Sequence, residues 1–182
     1  MLLKILLYAN GFASILLSIF FLFVLRKDNI QKWEKLPRER WSGGILGLLA
    51  LFAFIPNVEP MFPVERNLGI LVLAAIVLAV LCFLYADHLF SRAIAGILIL
   101  NSHAALAESN AANIAGSSFF AVMMLVWGSF GILLAAKPYL LRDLMRKCAS
   151  SMYWKAGTGI FTFLWFVSSL YMLTNAVWNK NI

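Results

Sequence analysis

Long, nearly unbroken apolar stretches alternate with short polar ones along this chain, and the apolar stretches are too long for ordinary core helices. Ile5–Leu25, Leu68–Ala86 and Ile114–Ala136 each approach the roughly 20 helical residues that cross a hydrocarbon layer ~30 Å thick. The pattern predicts an all-α, polytopic helical membrane bundle with six transmembrane helices, at about 4–25, 42–60, 67–86, 89–106, 112–136 and 156–177, in a single transmembrane helical domain covering 1–182. Two of these segments carry weaker signals. The apolar run of 42–60 is stopped by Pro56, whose ring interrupts a regular helix. Segment 89–106 carries Arg92 near one end and Asn101, Ser102 and His103 near the other.

Between the fifth and sixth spans, Pro138 can start a helix because its missing N–H is no loss there. Leu140, Leu141, Leu144, Met145, Cys148 and Met152 then recur at helical spacing among Arg142, Arg146 and Lys147. That predicts a short interfacial helix near 138–152, apolar on one side and basic on the other.

Composition strengthens the membrane reading. Only 13% of the 182 residues are charged and 63% are hydrophobic, whereas a soluble domain carries roughly a quarter charged residues. Mean hydropathy is +0.87. A retained first span is expected rather than a signal peptide, since its apolar region is longer than the usual ~7–15 residues. The net charge of +7 sets orientation. Arg26, Lys27, Lys32, Lys35, Arg38 and Arg40 fall between the first two spans, and Lys137, Arg142, Arg146, Lys147 and Lys155 between the last two. Short loops rich in Lys and Arg stay cytoplasmic. Six spans bring both loops to that side together with Asp87–Arg92, so the expected topology is N-out/C-out. The default location is a bacterial cytoplasmic membrane, with lipid as the first partner.

Polar residues supply the candidate chemistry. With six spans, residues 101–113 form an outer turn in which Asn101, His103, Glu108 and Asn113 cluster. Six alanines between 104 and 115 nevertheless favour helix and would let the fourth span continue past the membrane, or dip into it, before reversing near Ser109-Asn110. Asn10, Ser14 and Ser18 share one face of the first span, and Asn175 lies in the outer half of the last. These residues, with Asn57 and Glu59, could line an outward-facing polar cavity that binds a small solute, with His103 titrating near neutral pH. The simpler reading of His103 and Glu108 is a wet interfacial histidine beside a surface carboxylate. Asp87, His88 and Arg92 are expected to pair locally and hold the turn between spans three and four. His88 and His103, if on one helix, would be ~22 Å apart, too far to share an iron or another metal. Cys82 and Cys148 lack metal-ligand spacing. No metal site or cofactor is therefore expected.

No Ser/His/Asp set, paired aspartates or phosphate loop supports catalysis, and nucleic-acid binding lacks a recognition module. Small residues four apart recur at Ala9–Ala13, Gly43–Gly47, Ala112–Gly116 and Gly131–Ala135, a spacing that lets membrane helices approach closely. The stretch Ala9-Asn10-Gly11-Phe12-Ala13 resembles the small-residue helix contact of the substrate-binding subunits of energy-coupling-factor vitamin transporters. That resemblance implies a six-helix solute-binding subunit with cytoplasmic termini, opposite to the orientation deduced from charge. Two functions are expected from these features. The first is a non-catalytic helical subunit packing in a membrane assembly, with a membrane-protein partner or as a homo-oligomer. The alternative is a small permease or solute-binding carrier.

Overall fold

The computed structural model describes residues 2–58, 68–112, 114 and 116–178, and among them the regular elements are all helical. In order these are α1 (Leu2–Ile19), α2 (Ile30–Trp33), α3 (Arg40–Val58), α4 (Leu68–Tyr85), α5 (Leu89–Ala112), α6 (Ser117–Ala136), α7 (Tyr139–Ser150) and α8 (Met152–Trp178). A π-helical segment, Phe20–Val24, extends α1, and short 3-10 turns at Lys27–Asn29 and Leu36–Arg38 flank α2.

The expectation of six spans is overturned. Among the described residues, four helices are long and apolar enough to cross a membrane: Leu3–Val24, Leu89–Ala112, Ser117–Ala136 and Met152–Val177. Helix α3 opens on Arg40, Ser42, Gly43 and Gly44, which shortens its apolar run. Within α4, the apolar helix among the described residues is Val72–Tyr85. In segment 42–60 the helix runs past Pro56, where the apolar run ends, through Val58. Segment 89–106 proves to be the first part of an uninterrupted helix that reaches Ala112. Most of the expected outer turn, 101–112, is therefore helix, and α6 follows directly on Gly116, whose φ of 89° suits glycine. The Tyr171 ring packs so closely there that a Cβ at Gly116 would meet it at 2.5 Å.

The chain is thus a multi-pass membrane protein. Helix α5 is central, packing along α3 and α6 and more lightly on α1; α1 lies along α8, and α4 on α3. Close approaches use small residues. A Cβ at Gly43 would run into the Phe90 backbone at the α3–α5 contact. At the α5–α6 contact, a Cβ at Gly131 would sit 3.1 Å from the Ala95 carbonyl oxygen, and one at Gly128 would sit 3.2 Å from Ser102 Cβ. Shallow helix surfaces of this kind bring backbones together where water supplies no hydrophobic drive.

The two basic segments meet at one end of the bundle. Arg146 of α7 grips Glu34 beside α2 through two hydrogen bonds, Nε to Oε1 at 2.6 Å and Nη2 to Oε2 at 2.8 Å. Helix α7 is strongly amphipathic and buries Leu141, Met145 and Cys148. Those three join Phe21, Leu25, Ala95 and Leu134 in an apolar cluster at this end. A second cluster, around Phe120, Met124, Trp127, Trp165 and Met172, fills the rest of the bundle.

Candidate functional site

Among the described residues, two of the polar residues singled out in the sequence, Asn10 and Asn101, come together. Asn10 is 2% exposed and forms a reciprocal amide pair with Asn101. Asn101 Nδ2 donates to Asn10 Oδ1 at 2.8 Å, and Asn10 Nδ2 donates to Asn101 Oδ1 at 3.2 Å and to the Leu6 carbonyl at 2.8 Å. Further along the same face, the Ser18 hydroxyl donates to Thr162 Oγ1 at 2.7 Å, and Thr162 donates to the Thr158 carbonyl at 2.9 Å. Ser14 donates to the Gly11 carbonyl. The stripe on α1 therefore joins α1 to α5 and α8, and its polar groups find partners across those contacts or in their own helix, as a low-dielectric interior demands.

His103 is exposed and Glu108 half-buried, and no hydrogen bond or ion pair links them. Five residues apart on a continuous helix, they point about 140° apart around its axis. Asn175 donates to the Tyr171 carbonyl of its own helix at 3.0 Å. Asn113 and Glu59 lie outside the described residues. At the α4–α5 turn, Asp87 and Arg92 are exposed, and no ion pair or side-chain hydrogen bond joins either to His88 or to the other. His88 adopts φ 55°, in the left-handed region that non-glycine residues rarely enter, and its carbonyl accepts from the Arg92 backbone N–H at 3.2 Å.

The space lies elsewhere. A chamber of about 660 Å³ opens at the basic end, between the π segment, α5, α6, α7 and the start of α8. Its volume falls within the ~300–1,000 Å³ of small-molecule sites. The wall is almost wholly apolar: Phe20 and Phe21 from the π segment, Phe90 from α5, Phe130 from α6, Leu144 from α7 and Phe161 from α8 contribute. Thr158 and Thr162 also face it, but their hydroxyls donate to carbonyls one turn back in α8.

Three local features create the chamber. The π turn, closed by the Leu25 N–H to Phe20 carbonyl bond at 3.0 Å, widens the end of α1 and presents two adjacent phenylalanines to the same space. Such turns recur at functional sites. The Arg146–Glu34 pair ties α7 to α2 from above. At the depth of the chamber, Trp127 is 7% exposed, with its ring 4.6 Å from Trp165 and 5.3 Å from Phe161 between centroids. Trp127 Nε1 is buried without a hydrogen bond to the protein.

The mouth is marked by exposure. Tyr153 and Trp154 line the chamber yet are 91% and 48% exposed. Lys147 Nζ stands 4.8 Å over the Trp154 ring, within the range of a cation–π contact. Lys155 Nζ reaches the Leu25 carbonyl at 3.5 Å. Arg142 lies 3.5 Å from Asp143. The Arg146 hydrogen bond holds the Glu34 carboxyl below its ordinary range, and the pairing raises Arg146 in turn. Burial pushes the Cys148 thiol up, so at neutral pH it is a packed, protonated thiol rather than a nucleophile.

Among the described residues no group of three or more His, Cys, Asp or Glu is placed to hold a metal. The chain matches no protein-family model, no curated protein and no solved structure. Sequence reading missed the chamber because its wall is made of the same residues as any lipid-facing surface. The one local signal was the pairing of clustered aromatics, Phe20-Phe21 and Tyr153-Trp154, with flanking lysines and arginines.

Proposed function

We propose that this multi-pass protein is non-catalytic and acts by holding a hydrophobic molecule in the chamber at its basic end. The observation that carries the reading is an apolar-lined cavity of about 660 Å³ framed by five helical segments, of a size that suits a ligand. This is a carrier reading moved from the polar end of the bundle to the apolar one. The polar cavity expected around Asn10 and Asn101 loses its support, because those amides are spent on each other.

The alternative, a packing subunit in a membrane assembly, loses part of its support as well. Gly43 and Gly131, two of the small residues that suggested it, face helices of this same chain. It keeps one feature, the Ala9–Ala13 surface of α1, where a Cβ at Gly11 would meet nothing within 4 Å and a foreign helix has room to approach.

Native mass spectrometry of the purified protein incubated with dioleoylphosphatidylcholine tests the choice. Gly157 lines the chamber, and a Cβ there would meet nothing within 4 Å, so Gly157→Phe takes up cavity volume without displacing backbone. Retained lipid in the wild type and its loss in Gly157→Phe support the chamber. Equal retention by both proteins rules the chamber out. A stoichiometric protein partner that Gly11→Leu removes would favour the subunit.

A further inference from the structure

The rim of the chamber carries charge that its wall does not explain. Arg146 is already neutralised by Glu34, and Arg142 lies beside Asp143. Among the described residues, Lys147 and Lys155 are paired with no carboxylate. One stands over a mouth-lining ring, and the other touches the carbonyl that ends the π segment. Two cations whose charge is not cancelled therefore stand on segments that frame an apolar cavity, beside an amphipathic helix of the kind that lies among lipid head groups. A neutral hydrophobe would use the cavity and leave the lysines idle. A soluble anion would use the lysines and gain nothing from the phenylalanines.

We propose that the occupant is an anionic phospholipid, with an acyl chain between Phe20, Phe90 and Phe130 and its phosphate at Lys147 and Lys155. The identification rests on the chamber reading above and adds the head-group chemistry. The acyl chain supplies apolar burial that any phospholipid offers. The discrimination comes from the head group, because a Lys or Arg near a membrane surface attracts anionic lipid over zwitterionic lipid. The Lys147 ammonium can keep its contact with the Trp154 face while donating to a phosphate oxygen, since an ammonium carries three N–H donors.

The test is competition between dioleoylphosphatidylglycerol and dioleoylphosphatidylcholine for the detergent-solubilised full chain, read by native mass spectrometry. The two lipids share their chains and differ in head-group charge. The wild type should favour the anionic lipid by roughly fivefold for each lysine engaged. The Lys147→Gln/Lys155→Gln protein should bring the ratio close to one while retaining the same total of bound lipid. Lys147→Arg/Lys155→Arg, which keeps both charges, should keep the preference. Should the double glutamine protein melt early, Lys147→Gln alone, at an exposed position, should lose about half of the preference on a logarithmic scale.

No preference in the wild type, or one that survives loss of both lysines, overturns the head-group assignment while leaving the chamber in place. Total lipid unaffected by Gly157→Phe overturns the chamber, whatever the ratio. The two failures therefore read out differently.

Discussion

Helix α1 takes part in two regions that solve opposite problems. Toward its start, Asn10 enters the bundle and meets Asn101, and each amide is both donor and acceptor to the other. Toward its end, the π segment turns Phe20 and Phe21 into a cavity that the surrounding helices leave open. The first region holds much polarity and no space; the second holds space and almost no polarity. In a membrane protein, polar side chains inside the bundle often mark where helices are fastened together, because an unpaired polar group there costs more than it does in water. Binding space is set by which large side chains fail to close against one another, and here that happens under α7.

The largest effect is expected from Gly43→Ala, which attacks the open region through its wall. The added methyl meets the backbone of Phe90, a chamber residue, so α3 and α5 must separate. Overpacking of this type costs ~1–3 kcal/mol. The midpoint of thermal unfolding in detergent should fall, and bound lipid should fall with it. Unchanged lipid retention in a destabilised protein would show that the wall tolerates the shift.

Next comes Asn10→Leu, which breaks the fastened region alone. It leaves the Asn101 amide without its partner, at a cost of about 1–2 kcal/mol, and changing both residues to leucine should restore part of that loss. Lipid retention should stay as in the wild type. A parallel loss of lipid would show that the two regions are energetically one.

The smallest effect is expected at the Arg146–Glu34 tie. A carboxyl held below its ordinary range contributes stability that is present above that range and is lost as pH falls through the folded value. Protease cutting between residues 26 and 39 should therefore increase only in acid, below about pH 4. Glu34→Gln should be cut more readily at neutral pH and show no further rise on acidification. A wild type whose cutting is independent of pH would show that α7 is held by Leu141, Met145 and Cys148 alone.

Much of this architecture is legible in the chain. The apolar lengths announce a membrane bundle, and the recurrence of Leu141, Met145 and Cys148 announces α7. The six-span count failed for a definable reason. Charge at the loops constrains only whether the number of spans between the two basic segments is odd or even. Removing 42–60 and 67–86 together leaves both segments at one end, so the lysines and arginines could not separate six from four. The six alanines between residues 104 and 115 already favoured helix across the turn expected at 101–113, and the helix persists beyond Ser109-Asn110 to Ala112. As for the sites, Asn10 and Asn101 were legible as residues but not as partners, since 91 positions separate them. The chamber left only the faint signal of Phe20-Phe21 and Tyr153-Trp154 beside basic residues, because the sequence around a phenylalanine beside a void resembles that around one beside lipid.

That same separation bears on how the protein is made. At ~5–20 residues per second, the 91 positions between Asn10 and Asn101 represent about 5–18 s of synthesis. During that interval Asn10 has left the ribosome and its permanent partner does not yet exist. Its side chain has the Leu6 carbonyl for company, and half of its hydrogen-bonding capacity waits. The first helix is therefore a provisional guest of the bilayer until α5 arrives, and the amide pair acts as the latch that ends the wait.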